Sequence, residues 1–290
     1  WCQLFSEPGA GSDLAGLRTR AVKDGNDWII NGQKVWTSGA HYSKWGILVT
    51  RHDPTLPKHK GLTYFIVDME SPGIEVRPIR QITGGANFNE VFFNDVRIPD
   101  SNRLGAVGQG WAVSITTLMN ERMSTGGGGG LFGGETGLGS ITALLRGLTV
   151  DGRPALEHDA VRQKMAEFAA RFKGLELTGY RTLSALSQGA MPGSESSIMK
   201  LAMGLLVQEM AAFIMELQAA SGVLTDKQET LMEAMWQQAY LGIPAIRIAG
   251  GTDEVQRNII GERILGLPTD IRLDKNVPFN EVPTGPSKKG

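Results

Sequence analysis

The pattern of apolar residues changes character near residue 105, and this change constrains the fold more than any other feature. Before it, short apolar runs are separated by turn residues, which is typical of β-strands. After it, apolar residues recur three and four positions apart, which is typical of packed helices. The sequence therefore predicts an α+β protein, in which an antiparallel β-barrel or sandwich is followed by an antiparallel four-helix-type bundle.

The first part of the chain contains five runs that we predict as strands. They cover residues 28–30, 47–49, 62–67, 74–77 and 89–94. The dipeptides Asp24-Gly25 and Asn31-Gly32 predict tight hairpin turns. We expect a β domain over residues 1–105, a helical bundle over 106–268 and an irregular tail over 269–290.

A glycine-rich tract separates the first predicted helix, residues 111–123, from the rest of the bundle. It runs from residue 126 to 139, and each glycine disfavours a helix by about 1 kcal/mol relative to alanine. Three of its glycines, at positions 128, 130 and 133, have the spacing of a dinucleotide fingerprint. No strand precedes them, so we treat this match as chance.

Three further segments predict the remaining bundle helices. Residues 161–175 carry one apolar stripe, and residues 196–221 carry two, so that the second helix is apolar nearly all round. A third helix is expected over residues 228–241. The last helix is expected to begin at Thr252 and to end at Gly266. Its predicted core-facing residues are Val255, Ile259, Ile260 and Ile264.

Composition narrows the possible partners. A formal net charge of -1 gives no reason to expect nucleic acid or an anionic membrane. The single cysteine, Cys2, forms no internal disulfide framework and suits a reducing compartment. The four histidines lack the spacing of metal ligands, so no metal site is expected. No run of 18 apolar residues predicts a membrane span.

The run from Phe5 to Asp13 is the strongest candidate for a ligand loop, because it combines small residues and hydroxyls with a turn at Pro8. Gly9 and Gly11 suit either positive φ or close approach of a ligand to the main chain. Consecutive turn amides can bind an anion, and Ser12 could extend such a site. An ordinary polar surface loop is the alternative interpretation.

The whole run, Ser-Glu-Pro-Gly-Ala-Gly-Ser-Asp, resembles the flavin-binding signature of the acyl-CoA dehydrogenase family. The segment 31–38 is similar to a second family motif, N-G-x-K-x-W-I-T/S, and residues 251–257 match the start of the family's last helix. The resemblance implies FAD as cofactor and a role in fatty acid and lipid metabolism. It also implies that the family's N-terminal helical domain would precede residue 1, so only the middle and C-terminal parts are covered.

The resemblance implies α,β-dehydrogenation of an acyl-CoA thioester to the trans-2-enoyl-CoA. A carboxylate abstracts the α-proton and a hydride passes to flavin N5. Many members carry this base as a Glu just before the last helix, where this chain has Gly250. The departure indicates either an inactive enzyme or a relocated base, as in isovaleryl-CoA and long-chain acyl-CoA dehydrogenases. Glu121 occupies the alternative position, and we predict it as the base; a solvated Glu121–Arg122 pair is the alternative.

Other roles are carried over position by position. The cofactor contacts that the resemblance implies are Gln3, Phe5, Ser6, Gly11, Ser12, Trp36, Ser38, Gln218, Thr252 and Glu254. The implied substrate contacts are Ser12, Asn120, Arg122 and Gly250. Gln218 is expected to reach the FAD of a neighbouring subunit. The family's R-x-x-F-G string lies on a helix, and its arginine contacts the cofactor across the dimer. It has no clear counterpart in residues 148–153, where Arg153 is a possible substitute.

The resemblance also implies an oligomer, a dimer or tetramer of like or unlike chains, reoxidised by an electron-transfer flavoprotein. Two functions are alternatives to acyl-CoA dehydrogenation: that of a non-catalytic partner subunit and that of an acyl-CoA oxidase. Because the glycine-rich tract falls where relatives line the acyl pocket, we expect room for a branched, long or polycyclic acyl group. The expected location is the cytoplasm, or the mitochondrial matrix in a eukaryote.

Overall fold

The computed structural model describes residues 1–126, 138–189 and 193–283, without the side chains of 122–126. The chain divides into two compact units. The first unit comprises residues 1–118 and 270–290, and the second comprises residues 119–269. Most of the glycine-rich tract lies outside the described residues, as does the acyl-pocket role expected for it.

The first unit is built on one eight-stranded sheet. Its strands are β1 (Cys2–Leu4), β2 (Arg20–Asp24), β3 (Asp27–Lys34), β4 (Trp45–Arg51), β5 (Leu62–Asp68), β6 (Ile74–Ile79), β7 (Phe88–Pro99) and β8 (Arg103–Leu104). Their order is β6-β7-β3-β2-β4-β5-β8, and β1 pairs in parallel with β4. All five predicted strands are present, and the α+β class is confirmed.

Of the two hairpin predictions, one is confirmed and one is wrong. Residues Asp24 and Asp27 pair across a tight turn in which Gly25 has φ +59°. Gly32, by contrast, lies inside β3 at a bulge, where the register against β7 shifts. A Cβ at Gly32 would lie 2.5 Å from Thr19 Oγ1, so the close approach of Thr19 explains this glycine.

The second unit is a helical bundle. Its helices are the C-terminal part of α1 (Gly110–Gly126), α2 (Leu138–Gly147), α3 (Asp159–Ser187), α4 (Glu195–Gln218), α5 (Met235–Gly242) and α6 (Asp253–Ile259). A short hairpin of β9 (Thr149–Val150) and β10 (Arg153–Pro154) follows α2. The helix predicted over 228–241 begins later than expected, because residues 232–234 have left-handed φ and only then does α5 start.

One face of α4 forms the centre of the bundle core. Val207, Met210 and Ile214 are fully buried there, together with Val161 and Phe168 of α3. The other predicted stripe of α4 is only partly buried, and Ile198 at its start is 38% exposed. The sequence alone could not distinguish these two faces.

By length and hydropathy, one helix among the described residues, Glu195–Val223, would be able to cross a membrane. Only 39% of its apolar window is buried, but that buried part belongs to the bundle core. A core helix needs the same hydropathy, so this one helix is weak evidence for a span.

The last helix does not bury the face that the sequence predicted. Asp253 and Gln256 are its buried residues, whereas Val255, Ile259 and Ile260 are partly exposed and Ile264 is 38% exposed. After Ile259 the helix continues as one π-helical turn, Ile260–Ile264. The predicted cap at Thr252 is confirmed, because its hydroxyl accepts a hydrogen bond from Val255 N at 3.3 Å.

The tail returns to the first unit and packs on a buried arginine. The ring of Phe279 lies 3.5 Å from Cζ of Arg51. Arg51 also donates to the carbonyls of Ala15 and Leu17, directly after the signature run. Burial lowers the pKa of Arg51 to about 10. Phe279 N donates to Leu56 O at 3.0 Å, which fixes the tail to the loop after β4.

Candidate functional site

The signature run folds into a tight turn at Pro8 and Gly9. Glu7 and Ala10 close the turn with two backbone hydrogen bonds of 3.0 Å each. Gly9 and Gly11 do not have positive φ, and the space where a Cβ would lie is open at both. The two glycines therefore fit the second role considered for them, a main chain that a ligand can approach closely.

A buried ion pair joins the signature run to the second motif. Lys34 Nζ lies 2.8 Å from Glu7 Oε1, with the two side chains 0% and 8% exposed. The same ammonium donates to Phe5 O at 2.9 Å. Beside it, Val35 N donates to Ser6 O at 2.9 Å. The two segments therefore run side by side, which brings Ser6 close to the Trp36 segment.

The pKa values of Glu7 and Lys34 are shifted by different combinations of burial, charge and hydrogen bonding. Burial lowers the pKa of Lys34 to about 8, although the Glu7 carboxylate opposes the shift. Burial alone would raise the pKa of Glu7, but the charge and hydrogen bond of Lys34 outweigh it and lower that pKa. Glu7 also accepts hydrogen bonds from Arg18 N at 2.6 Å and Thr19 N at 2.9 Å. One carboxylate thus joins the signature turn to residues 18–19 and to Lys34.

Trp36 presents a large aromatic surface beside this joint. Its side chain is 60% exposed, with its ring edge-on to Phe88 at 6.2 Å. Its φ of +60° is uncommon for a residue other than glycine. The next residue holds this conformation, because Thr37 and Asn89 exchange two backbone hydrogen bonds of 3.0 and 3.1 Å. Ser38 is exposed on the other side of Thr37.

The other cofactor candidates of the first unit lie on the same segment. Gln3 is partly exposed on β1, and Phe5 packs edge-on against Tyr64 at 5.7 Å. Gly11 and Ser12 are exposed after the turn. The two motifs are thus joined within one unit through the bonds of residues 5–7 to Lys34 and Val35. Their contacts with a cofactor stay predictions.

Helix α1 carries the predicted base. Asn120 is exposed and Glu121 is partly buried. Arg122 continues the helix, and its side chain lies outside the described part. The helical placement of Glu121 agrees with the sequence prediction, whereas its role as the base stays a prediction.

Two predicted cofactor contacts line one cavity at the start of α6. The cavity has a volume of about 270 Å³, and Thr252, Glu254 and Arg247 are among its lining residues. Arg247 forms an ion pair with the buried Asp253 at 2.6 Å. The positive end of α6 therefore opens onto this cavity with a capping hydroxyl and an exposed carboxylate.

Gly250 lies in a left-handed turn directly before this helix. Gly250 and Gly251 have φ of +65° and +96°. Gly250 is exposed, and a Cβ there would meet no atom within 4 Å. Gln256 Nε2 donates to Gly250 O at 3.1 Å and to Gly251 O at 3.3 Å, and Lys200 Nζ donates to Gly251 O at 2.5 Å.

Two further candidate cofactor contacts, Gln218 and Arg153, have surroundings that the sequence did not predict. Gln218 is 4% exposed at the end of α4, where its Oε1 accepts from Gln237 Nε2 at 3.1 Å. Its predicted reach to a neighbouring subunit stays a prediction. Arg153 is exposed on β10, with Nη2 3.4 Å from His158 Nδ1. Residues 149–154 form a hairpin rather than a helix, so Arg153 does not reproduce the helical arginine of the family motif.

Sequence reasoning missed the residues that hold the site in place. The sequence analysis included Glu7 and Lys34 in two motifs but did not predict that they pair. The available signal was that a lysine on the buried face of a strand needs a partner. Lys200 and Gln256 gave no local signal. Among the described residues, no group of three or more His, Cys, Asp or Glu side chains is placed to hold a metal ion.

Comparison with known proteins gives one consistent result. Residues 2–96 match the model described as "Acyl-CoA dehydrogenase, middle domain", and residues 108–265 match "Acyl-CoA dehydrogenase, C-terminal domain". The acyl-CoA dehydrogenase FadE34 of Mycobacterium tuberculosis is 42% identical over 271 residues, which cover 92% of this chain and 35% of FadE34. The acyl-CoA dehydrogenase IpdE1 of the same organism is 37% identical, covering 94% of this chain and 68% of IpdE1.

Solved structures give the same answer. One titled "Tcur3481-Tcur3483 steroid ACAD" superposes with a TM-score of 0.83 at 27% identity, covering 93% of this chain and 68% of that one. The ChsE4-ChsE5 complex from Mycobacterium tuberculosis gives a TM-score of 0.81 at 30% identity, covering 93% and 69%. The named relatives are bacterial, so the mitochondrial alternative finds no support. With both family domains matched in order and both flavin motifs joined in the fold, the chain belongs to the acyl-CoA dehydrogenase family.

Proposed function

We propose that this chain carries out the flavin-dependent α,β-dehydrogenation of an acyl-CoA thioester. The observation that carries the proposal is the joint between the two flavin motifs. The Glu7–Lys34 ion pair and the Ser6–Val35 hydrogen bond tie the signature run to the strand end that directly precedes Trp36, whose side chain is 60% exposed. The chain spans 35% of FadE34 and 68% of IpdE1, so the activity of those proteins is extended to it here as a proposal.

The residues present fit FAD, which family members bind. A flat isoalloxazine needs an open aromatic or backbone surface, and Trp36 offers a side chain that is 60% exposed. The diphosphate needs amide and hydroxyl donors without obstructing side chains, and the open main chain at Gly9 and Gly11 meets that need. Ser6, Ser12 and Ser38 would add hydroxyl donors. Bound FAD would supply the acceptor for the β-hydrogen, which leaves as a hydride.

The chain itself supplies the acid–base and polar groups of the reaction. Glu121 would remove the α-proton, because Gly250 offers no carboxylate at the place where many relatives have one. The N–H of Gly250 would donate to the thioester oxygen and so stabilise the negative charge that develops there. Asn120 and Arg122 would position the substrate beside Glu121.

The test is an absorbance spectrum of the purified protein followed by anaerobic titration with acyl-CoA thioesters. Flavin absorbance with bleaching by an acyl-CoA is expected for the native chain. Glu121→Gln should keep FAD and lower the rate of bleaching on the order of 10²- to 10⁴-fold. Glu216→Gln, an exposed glutamate on α4, is the matched control and should leave the rate unchanged.

A partner subunit of a two-chain dehydrogenase is the second candidate function. Gly250 replaces the usual base, and Arg153 does not reproduce the helical arginine. Two structural matches carry titles that name two chains, Tcur3481-Tcur3483 and ChsE4-ChsE5. This candidate would be favoured if the purified chain binds FAD but no acyl-CoA bleaches the flavin absorbance. Peroxide release in air without an added acceptor would instead indicate an oxidase.

We propose an alicyclic or steroid-like acyl group as the substrate. Relatives include cyclohexane-1-carbonyl-CoA dehydrogenases, 29% and 27% identical to this chain, and the structural match titled a steroid ACAD. A substrate panel in which butyryl-CoA is preferred would contradict this. An electron-transfer flavoprotein is the proposed acceptor, and the cytoplasm the proposed location.

Oligomeric assembly is supported by the two-chain structural matches. We propose a dimer or tetramer. Exposed apolar side chains fit burial in such an assembly, among them Leu265 and Leu267 after the last helix, which are 66% and 56% exposed. Light scattering coupled to size exclusion will give the number of chains, and a monomer at micromolar concentration would contradict the proposal.

A further inference from the structure

We infer that Lys200 and Gln256 are positioning residues that hold the Gly250–Gly251 turn so that the N–H of Gly250 meets the thioester oxygen. The inference rests on the proposed function. It concerns two side chains on α4 and α6 that lie behind the turn.

The turn is fixed on both sides of the Gly250 N–H. Before it, Ala249 N donates to Ala245 O at 2.8 Å. After it, Gln256 Nε2 bridges the carbonyls of Gly250 and Gly251 at 3.1 and 3.3 Å. Gly250 N–H itself has no acceptor among the described residues. An exposed donor is thus left between two anchored peptide groups, free to bind a ligand oxygen.

Two adjacent glycines with positive φ are the most adaptable backbone a chain can offer, so the turn needs external restraint. Gln256 is fully buried and reaches the turn because Gly251 has no side chain: a Cβ there would lie 2.6 Å from Gln256 Nε2. The close packing of an amide against a glycine carbonyl is therefore a built feature of this turn.

Lys200 adds a charged restraint from a different helix. Its ammonium donates to Gly251 O, and hydrogen bonds from charged donors are stronger than neutral ones. Burial lowers the pKa of Lys200, while the carboxylates of Asp253 and Glu254 raise it and Arg247 lowers it. The lysine thus ties the turn to the central helix of the bundle.

The absence of a glutamate at position 250 makes this restraint important for chemistry. With no side chain, residue 250 acts on a substrate only through its main chain, and its carbonyl is already bound to Gln256. An N–H donor stabilises a developing oxyanion only within about 2.7–3.1 Å of it. A displacement of about 1 Å lowers a rate on the order of 10²-fold.

The experiment uses the full chain loaded with FAD and an acyl-CoA labelled with ¹³C at the thioester carbonyl. Isotope-edited infrared difference spectra report the hydrogen bond to that oxygen as a lowered carbonyl stretching frequency. Lys200→Met and Gln256→Met should lose most of this shift and lower kcat on the order of 10²-fold, with KM changed less than about threefold. Flavin occupancy should stay the same.

Matched controls separate positioning from general damage. Lys173→Met on the exposed face of α3 and Asn258→Met on the exposed face of α6 should keep the carbonyl shift and kcat. Lys200→Arg keeps a cationic donor and should recover part of both. If Lys200→Met does not fold, Gln256→Met carries the test.

The possible failures are distinguishable. If acyl-CoA neither binds nor bleaches the flavin of the native chain, the proposed function fails. If the native chain is active with a shifted carbonyl, and both variants keep the shift and kcat, the inference is overturned while the function stands.

Discussion

Breaking the buried ion pair beneath the flavin motifs should destabilise the first unit strongly. In Lys34→Met, the Glu7 carboxylate loses its ammonium but keeps the amides of Arg18 and Thr19. Removing one partner of a buried pair typically costs about 3–5 kcal/mol. Because two donors remain, we expect a loss at the low end, ~3 kcal/mol.

The reverse change should cost more. Glu7→Gln leaves the ammonium of Lys34, which is 0% exposed, with Phe5 O and one amide oxygen. The loss is limited because the lysine can release its proton. From an ordinary pKa of 10.5, neutralising it at pH 7 costs about 1.4 kcal/mol per pH unit, or ~5 kcal/mol in all. The loss in free energy of unfolding for Glu7→Gln should therefore lie between ~3 and ~5 kcal/mol.

Urea unfolding followed by tryptophan fluorescence measures both losses. The double variant Glu7→Gln/Lys34→Met should be more stable than Glu7→Gln, because no unpaired charge is left buried. Arg97→Met is the control. It removes two exposed ion pairs, with Asp24 and Asp27, at an arginine that is 59% exposed, and should cost less than about 1 kcal/mol. In thermal unfolding, Lys34→Met should lower Tm by roughly 10 °C.

Two results would refute this reasoning. One is a loss for Lys34→Met as small as that for Arg97→Met. The other is a double variant whose loss equals the sum of the two single losses, since that would mean that Glu7 and Lys34 do not interact. FAD affinity is a second readout, because the pair joins the two segments that we propose hold the cofactor.

Three other contacts of the first unit can be tested by substitution or by titration. Phe279→Ala removes the ring stacked on the Arg51 guanidinium and should cost about 3 kcal/mol in urea unfolding, with Tm lowered accordingly; a loss below 1 kcal/mol would show that the tail does not stabilise this unit. The pKa of Lys34 is depressed from 10.5 to about 8, so the unfolded chain binds more protons between these values and stability should rise with pH there. Lys34→Met should lack that rise, and parallel stability profiles would contradict the assignment. Gly32→Ala brings a Cβ to 2.5 Å from Thr19 Oγ1 at φ +153° and should cost at least 1 kcal/mol, whereas an unchanged urea midpoint would mean that the bulge relaxes.

The sequence predicted elements well where the signal is local. The strands and the turn at Gly25 depend on alternation and on one residue with positive φ, and both were found. Asn31-Gly32 has the same local signal but a different outcome. The Asn31 carboxamide pairs with Asp95 across the sheet, and Thr19 packs where a Cβ of residue 32 would lie. These contacts come from the tertiary fold, so no short window of sequence contains them.

The buried face of the last helix shows the same limit in the bundle. Apolar periodicity predicted that Val255 and Ile259 face the core, yet Asp253 and Gln256 are the buried residues. Their partners are Arg247 for the carboxylate and the Gly250 turn for the amide. Periodicity assigns a polar residue to solvent unless its partner is known, and here each partner lies several residues away, Arg247 at the end of a 3-10 helix and Gly250 in a turn. For this reason, pattern analysis did not predict that Asp253 and Gln256 are buried.

The geometry at position 250 fits the proposed division of the reaction between two residues. Removing the α-proton and donating a hydrogen bond to the thioester oxygen are different tasks, which two residues can share. In this chain φ at position 250 is +65°, a value that a glutamate adopts only with strain. Glycine adopts it freely, so the anchored turn can hold the N–H, and in the proposed function the carboxylate comes from Glu121 on α1. If the two tasks are separate, Glu121→Gln should abolish flavin bleaching and leave the shifted thioester carbonyl of bound acyl-CoA in place. Loss of both together would mean that Glu121 also shapes the donor site.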